Sequence, residues 1–244
     1  MDKLKTGRNL TQQLTHELGS AIVHGQYSSA NSLPSEAEIC ERYNISRSAT
    51  REAVKMLTAK GLISSRPRQG IRVLSQQHWN MFDTEVLTWI LSGTPSLSML
   101  KDFLQLRLAV EPQAAALAAV NADSHSIERI EHALARMKQA EKGLGDALEA
   151  DIAFHTSLLL ASGNPFFIQM LSFIETALRV SIRFTNRIKG VSVASYDDHW
   201  AIYTAIANKQ AALAQSTSHA MQSEALALIQ QQLELEDAET AKFC

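Results

Sequence analysis

Cysteine is almost absent from this chain of 244 residues, which contains only Cys40 and Cys244. Two cysteines so far apart indicate neither a disulfide framework nor a zinc knuckle. Proline and glycine are also scarce, at 5 and 10 residues, and aromatic residues make up 6% of the chain. With 45% hydrophobic and 20% charged residues, this composition excludes low-complexity chains and favours a globular protein.

Long apolar runs are missing as well. No apolar stretch approaches the ~20 residues that a membrane-spanning helix requires. The opening "MDKLKTGRNLTQQL" lacks the apolar centre of a secretory signal. We therefore expect a cytoplasmic protein without a membrane partner.

The net charge of −2 conceals an uneven distribution of charged residues. Residues 1–75 hold 11 Lys and Arg against 6 Asp and Glu, whereas the remainder holds 12 against 19. A basic first part on an acidic body indicates that the first part meets a polyanion.

The basic part has the pattern of a winged helix-turn-helix. Apolar residues recur with a helical period in "LTQQLTHELGSAIVHG", and "LPSEAEICERY" contains a capping box from Ser35 to Glu38. A third helix starts at Ser46, and only a few residues, "NI", separate it from the second helix. Two short strands around a basic turn follow in "LISSRPRQGIRVL". The fold expected here is mainly α, with a DNA-binding domain at residues 1–75.

The third helix would present its first turns to the major groove. There Arg47 and Arg51 can bind guanine bidentately, and Ser46 and Ser48 can bond phosphates or bases. The wing offers phosphate or minor-groove contacts and a close backbone approach through Arg66, Arg68, Gly70 and Arg72. The alternative is a small helical domain with a solvated basic face, but the helix spacing, wing and charge together favour double-stranded DNA.

The acidic body consists of repeated helical patterns without strand signals. We expect an all-α bundle at residues 97–236, a linker with a short helix at 76–96 and a tail at 237–244. The predicted helices span roughly 83–93, 97–120, 124–142, 145–162, 165–188, 195–208 and 210–235.

An ionisable pair lies on an inward face of this bundle. In "LEADIAFHTSL", Asp151 and His155 are one helical turn apart and share a face. The pair can be a simple hydrogen bond, a catalytic couple or part of a metal site. His199 begins an inward stripe on a second helix, so a third ligand can approach. A carboxylate with two imidazoles suits zinc, nickel or manganese.

A metal-dependent enzyme fused to a DNA-binding domain is a competing interpretation, because such ligands can activate water. The sequence places no separate general base beside them, such as the Glu next to a ligand His in zincins. We therefore expect a protein that is not an enzyme. A regulator that senses the metal itself, without an organic effector, remains a second alternative.

Long phrases of the chain resemble one family. "LPSEAEICERYNISRSATREAVKMLTAKGLISSRPRQGIRVL" resembles the winged helix of GntR-type bacterial repressors. "LRLAVEPQAAALAA", "DIAFHTSLLLASGNP" and "DDHWAIYTAI" resemble the FCD ligand-binding domain of the FadR subfamily. The resemblance implies a homodimeric transcriptional regulator, commonly a repressor, on a palindromic operator. Ala37 stands where FadR-like members often carry Arg, so one DNA contact is expected to be missing.

The resemblance also implies a ligand set for the metal. In the metal-binding branch of FCD proteins, the Asp and His of a D-x-x-x-H helix and a later His hold the ion, and these match Asp151, His155 and His199. A further His usually comes from the last helix, where Met221 stands at the corresponding position. His219 lies about 200° round the helix from Met221, so it becomes the fourth ligand only if the helix phase differs. One coordination side would stay open for water or an effector.

An organic-acid effector is implied in the same way. Arg107 matches an Arg that helps to anchor the acid in FCD regulators, although an internal ion pair with Glu111 is the alternative. Further anchors and hydroxyl-recognising groups are expected at Arg179, Arg183, Thr185 and Asn186.

The segment after the wing narrows the effector class. "HWNMFDTEVLTWIL" resembles the corresponding segment of sugar-acid regulators in the family, those of galactonate use above all. We therefore expect an aldonate or keto-deoxy-aldonate. Alternatively, the apolar residues of this segment merely pack the linker helix: Trp79, Phe82, Val86 and Trp89.

Overall fold

The computed structural model describes residues 10–66, 70–93, 96–191 and 193–241. The chain divides into two compact units, residues 1–94 and 95–244. In the first unit the described elements are α1 (Leu10–Val23), α2 (Glu36–Tyr43), α3 (Arg47–Ala59), β1 (Ile63–Arg66), β2 (Gly70–Val73) and α4 (Thr84–Leu91). In the second they are α5 (Leu97–Asn121), α6 (Ser124–Ala140), α7 (Ala147–Ala161), α8 (Pro165–Gln169), α9 (Leu171–Lys189), α10 (Tyr196–Ala207) and α11 (Ala211–Ala241).

The helix-turn-helix is specified by local capping. Ser35 accepts a hydrogen bond from the backbone N–H of Glu38, whose carboxylate accepts the backbone N–H of Ser35 in return, so the predicted capping box is present. Asn44 ends α2 in the left-handed conformation, with φ of 52°. Ser46 then caps α3. This turn sets α3 against the core of Leu14, Leu18, Ile39, Leu57 and Leu62.

The wing is a two-stranded antiparallel hairpin in which Ile63 pairs with Val73 and Arg66 with Gly70. The chain then passes close to the end of α3. A Cβ at Gly61 would lie 2.0 Å from the carbonyl oxygen of His78, and φ there is +74°, so glycine is required.

Helix α4 belongs to the core of the first unit. Trp89 is buried against Gly19, where a Cβ would come within 2.3 Å of the indole ring. Its Nε1 donates to Nδ1 of His16 at 2.7 Å. Val86 and Trp79 also pack in this core, whereas Phe82 is exposed. The packing role considered for this segment is therefore observed for three of its four apolar residues.

The second unit is the expected all-α bundle. One apolar cluster centres on Phe154 and Leu158 of α7, and another joins Leu100 and Leu104 of α5 to Ile229 of α11. The helix predicted over 165–188 is divided at Met170, whose ψ of −8° departs from helical geometry. Helix α11 continues to Ala241, into the segment expected to be a tail. Among the described helices, none has the length and apolar character needed to cross a bilayer.

Candidate metal centre and effector cavity

Three buried side chains from two helices converge in the second unit. Asp151 and His155 follow each other by one turn on α7, and His199 lies in the first turn of α10. Oδ1 of Asp151 lies 3.1 Å from Nε2 of His155 and 3.3 Å from Nε2 of His199. One ligand atom from each residue lies within 4.8 Å of the other two. The three residues singled out in the sequence are therefore brought together.

The hydrogen bond of His199 indicates which kind of ligand the three side chains can bind. Its Nδ1 donates to the carbonyl oxygen of Ser195 at 2.6 Å, because a carbonyl can only accept. In the neutral ring, Nε2 then carries a lone pair that faces Asp151. Despite the short distance, neither Nε2 of His199 nor Oδ1 of Asp151 has a partner with hydrogen-bond geometry among the described residues. Two buried acceptors facing each other fit a shared cation.

A second buried carboxylate supports the cluster. Oε2 of Glu111, on α5, lies 2.9 Å from Nδ1 of His155, although the ring N–H does not point along this contact. Arg107 donates to both oxygens of Glu111, from Nε at 2.6 Å and from Nη2 at 3.3 Å. Gln222, on α11, donates from Nε2 to Oε2 at 2.6 Å. The ion pair between Arg107 and Glu111, which is the alternative to effector binding by Arg107, is thus present. Glu111 also contacts His155, a candidate metal ligand.

The two carboxylates stay ionised despite their burial. Burial by itself would raise the pKa of Glu111, but the charges of Arg107 and His155 lower it to about 2. Burial likewise opposes ionisation of Asp151, and the contacts with His155 and His199 hold its pKa well below the ordinary value. The cluster therefore presents fixed negative charge to any cation.

A cavity of about 230 Å³ opens on this cluster. That size is modest for a ligand site and suits a small organic molecule. Helix α9 contributes Thr185 and Asn186 to its wall, together with Lys189. Arg107 also lines the cavity, and its pair with Glu111 uses Nε and Nη2 rather than Nη1. Cation, guanidinium and hydroxyl-recognising groups would thus share one space.

Three residues predicted to belong to the site do not line the cavity: Arg179, Arg183 and His219. Arg179 is seven residues before Asn186, about two helical turns away, and its guanidinium is held by Glu149 and Glu175. Arg183 is exposed, because it lies about 100° round α9 from the inward Ile182.

His219 is exposed on α11, hydrogen-bonds Ser223 at 3.2 Å and lines a separate groove beside Pro112. Met221 lines the cavity instead, which is the position that the family resemblance implied for this part of the last helix.

Sequence reasoning missed two residues. The spacing of one helical turn predicts only the pair of Glu111 with Arg107. Nothing in the sequence indicates that Glu111 also contacts His155. Nothing in the sequence indicates a role for Gln222, because it lies 111 positions from Glu111 along the chain and only the folded structure brings the two together.

The candidate DNA surface is exposed on α3 and the wing. Ser46, Arg47 and Ser48 are exposed, and Oγ of Ser46 lies 2.9 Å from Oγ of Ser48. Arg51 is exposed and lies 3.4 Å from Glu36, a weak surface pair that DNA could displace.

In the wing, Arg66 and Arg72 are exposed and Gly70 adopts φ of +72° with open space around it. Arg68 lies outside the described residues.

Two family models match the chain. Residues 10–73 match the bacterial regulatory proteins of the gntR family, and residues 102–224 match the FCD domain. The solved structure of Lar, which controls the Listeria monocytogenes agr system, has a TM-score of 0.58 at 19% identity. It covers 94% of this chain and 99% of that one, and shows the fold alone.

The similar proteins that match over most of their length are transcriptional regulators. YieP of Escherichia coli, an uncharacterized HTH-type transcriptional regulator, is 34% identical over 206 residues, covering 84% of this chain and 88% of the relative. The galactonate operon transcriptional repressor of Escherichia coli is 35% identical over 174 residues, covering 71% and 76%. LutR of Bacillus subtilis is 30% identical over 202 residues, covering 80% and 90%. The chain therefore belongs to the GntR family, as a transcriptional regulator of the FadR type with a C-terminal FCD domain.

Proposed function

We propose that this regulator is a homodimeric repressor of sugar-acid catabolism, released from its operator by an aldonate or keto-deoxy-aldonate bound beside a divalent metal. In this proposal residues 1–75 bind DNA and residues 97–236 bind metal and effector. The observation that carries it is the cluster of Asp151, His155 and His199 opening on the same cavity as Arg107.

The metal would be held by Asp151, His155 and His199, a donor set that suits zinc best and also nickel or manganese. When bound, it supplies positive charge and a coordination position for a carboxylate or hydroxyl oxygen of the effector. Arg107 would bind the effector carboxylate through its remaining donors. Thr185 and Asn186 would bind hydroxyl groups of the sugar-acid chain.

The charge balance of the cavity supports a role for the cation in anion binding. Its walls carry the two cations Arg107 and Lys189, and Lys189 is paired with Glu224 at 2.7 Å. Three carboxylates line the cavity, those of Asp151, Asp198 and Glu224, and the carboxylate of Glu111 lies behind its wall beside Arg107. These carboxylates oppose the binding of an anion, and a divalent ion would supply positive charge that offsets them.

The sugar-acid class rests on the relatives as well. The galactonate operon transcriptional repressor, similar over 71% of this chain, acts in such a pathway by its name. NanR of Cronobacter sakazakii, 28% identical over 82% of this chain, is also a transcriptional repressor. Repression is therefore the direction we propose for operator binding.

Operator contacts are proposed for the exposed N-terminal part of α3 and for the wing. Arg47 and Arg51 would read guanines, and Ser46 and Ser48 would bind phosphates or bases. Arg66, Arg68, Gly70 and Arg72 would follow the backbone or minor groove. Effector and metal release the DNA only if they bind the DNA-incompetent state more tightly than the competent one.

The deciding experiment is fluorescence anisotropy of the protein on DNA from its own upstream region, with aldonates and keto-deoxy-aldonates titrated with and without a chelator. Release by one sugar acid, abolished by the chelator, is expected. Tight binding that every acid leaves unchanged but that the chelator alters would mean that the metal itself is the signal. Turnover of a sugar acid by the metal-loaded protein would revive the enzyme interpretation.

His155→Ala provides the matched variant for this experiment. It should lose bound metal and the response to the acid while apo-protein binding to the operator persists. His219→Ala is the control, because His219 is exposed in the separate groove. Stoichiometric metal retained by His155→Ala would remove His155 from the ligand set.

A further inference from the structure

Glu111 is completely buried, with 0% of its surface exposed, and it contacts side chains on three helices. Its Oε1 accepts from Arg107 of its own helix α5. Its Oε2 accepts from Gln222 of α11 and lies 2.9 Å from His155 of α7. Arg107 alone would suffice to neutralise this carboxylate, so neutralisation does not explain the other two contacts.

All the partners of Glu111 face the same cavity. Arg107, His155 and Gln222 line it, while each is buried with 4% or less of its surface exposed. The carboxylate therefore lies behind the wall, where it accepts hydrogen bonds from Arg107 and Gln222 and contacts the ring of His155. Its contact with Nδ1 of His155 leaves Nε2 directed at Asp151, which is the orientation needed of a metal ligand.

We infer that Glu111 is a positioning residue that couples the metal ligand His155 to the effector anchor Arg107, with Gln222 extending this link to α11. The inference rests on the proposed function for the presence of metal and effector. Glu111 itself need touch neither. A ligand carboxylate that binds Arg107 would weaken its hydrogen bonds to Glu111. Glu111 could then move, and the orientations of His155 and Gln222 would change with it.

The coupling is reciprocal by thermodynamic necessity. If effector binding alters the metal affinity through this group, metal binding alters the effector affinity by the same factor. Gln222 brings α11 into the same network, so the last helix of the bundle also responds to the occupancy of the cavity.

Two variants separate positioning from charge. Glu111→Gln removes a negative charge, so simple Coulomb attraction also predicts weaker cation binding for it. Gln222→Leu removes the hydrogen bond to Glu111 without changing any charge, so a loss of metal affinity there reports positioning. Gln230→Leu is the matched control, because it makes the same change on the exposed face of α11, at a residue that does not line the cavity.

The measurement is zinc affinity of the full chain by competition with a fluorescent indicator, together with the visible spectrum of the Co²⁺-loaded protein. Glu111→Gln should weaken zinc binding by roughly 10- to 100-fold, the range for partners of metal-binding histidines. Gln222→Leu should weaken it by at least about threefold, as a smaller loss of the same kind. Both should shift the Co²⁺ bands, which a merely structural role would not do, and Gln230→Leu should change neither quantity.

The possible failures are distinguishable. If the wild-type chain binds no zinc or cobalt, the metal in the proposed function fails and this inference falls with it. If the wild type binds metal and Gln222→Leu matches it in affinity and in Co²⁺ spectrum, only the inference is overturned. Since Glu111→Gln leaves Arg107 without its buried partner and could prevent folding, the result for Gln222→Leu decides.

Discussion

Asp151 is the buried carboxylate at the centre of the candidate metal site. Its carboxylate is buried and ionised, and it faces two imidazoles rather than a Lys or Arg side chain. Imidazole titrates near neutral pH, so a proton and a metal ion would compete for the same groups here.

That competition predicts a pH dependence. Burial by itself would lower the pKa of His155, but Glu111 and Asp151 raise it above the ordinary value. In the metal-free protein, the contacts of protonated His155 with Glu111 and Asp151 stabilise the fold. This stabilisation is fully present below the ordinary pKa of histidine and is lost as the pH rises through the raised pKa of His155. Metal binding displaces the proton, so its affinity should fall by up to about tenfold per pH unit below that raised pKa.

The measurement is the zinc-induced increase in Tm at pH 6 and at pH 8, compared at equal free zinc. A larger increase at pH 8 is expected. An equal or larger increase at pH 6 would show that no imidazole proton is displaced on binding.

On the DNA side, single arginines are expected to determine operator specificity. Arg47→Ala and Arg51→Ala should each weaken specific binding by about 1–3 kcal/mol if they read guanine bases, while binding to unrelated DNA changes little. Lys142→Ala, an exposed change in the second unit, is the control. Anisotropy on operator and scrambled DNA tests this, and wild-type affinity of either variant would remove that arginine from the base-reading set.

At the scale of elements, helix α4 is held to α1 and α3 by one tight contact and one ion-pair cluster. Trp89 packs on Gly19, and Nζ of Lys60 at the end of α3 donates to Asp83, the N-cap of α4, at 2.7–2.9 Å. Lys60 also lies 5.6 Å from the centre of a ring of Trp89. The helix that precedes the second unit is therefore a part of the DNA-binding core.

The contact at Gly19 predicts a loss of stability. Gly19→Ala would gain up to about 1 kcal/mol of helix propensity, but it places a Cβ 2.3 Å from the Trp89 ring. Overpacking typically costs about 1–3 kcal/mol, so a net destabilisation of the first unit is expected. Thermal melting measures it, and displacement of Trp89 should redshift the tryptophan fluorescence. Gln12→Ala on the exposed face of α1 is the control, and a stability gain with unchanged fluorescence would contradict the expectation.

At the scale of the whole molecule, the two units have separate apolar cores. The proposed metal ligands all lie in the second unit, so ligand binding should stabilise that unit directly. The first unit contains the exposed recognition helix and is expected to unfold in its own transition.

Differential scanning calorimetry tests this division. Zinc at about 100 times its dissociation constant should stabilise the transition of the second unit by roughly 2.7 kcal/mol, and excess chelator should reverse the effect. Asp151→Asn should lose most of this stabilisation, since it removes the anionic ligand. A zinc effect confined to the first unit would contradict the assignment of the site.

The sequence by itself determined the local structure and the family. Capping residues such as Ser35 and Ser46 and the helical spacing of apolar residues act over one or two turns, so the sequence alone predicts their effect. The cluster of Asp151 and His155 was visible for the same reason, because their spacing of four residues fixes a shared face. The break at Met170 and the extension of α11 to Ala241 left no such local signal.

Tertiary structure alone decided which side chains share the cavity. Thr185 and Asn186 line it while Arg179 does not, because Glu149, on another helix, captures that guanidinium. The contact of Glu111 with His155 and Gln222 joins residues 44 and 111 positions away along the chain. Spacing along a helix specifies a face, but the packing of α5, α7, α10 and α11 decides which faces meet, and burial makes the resulting polar contacts strong.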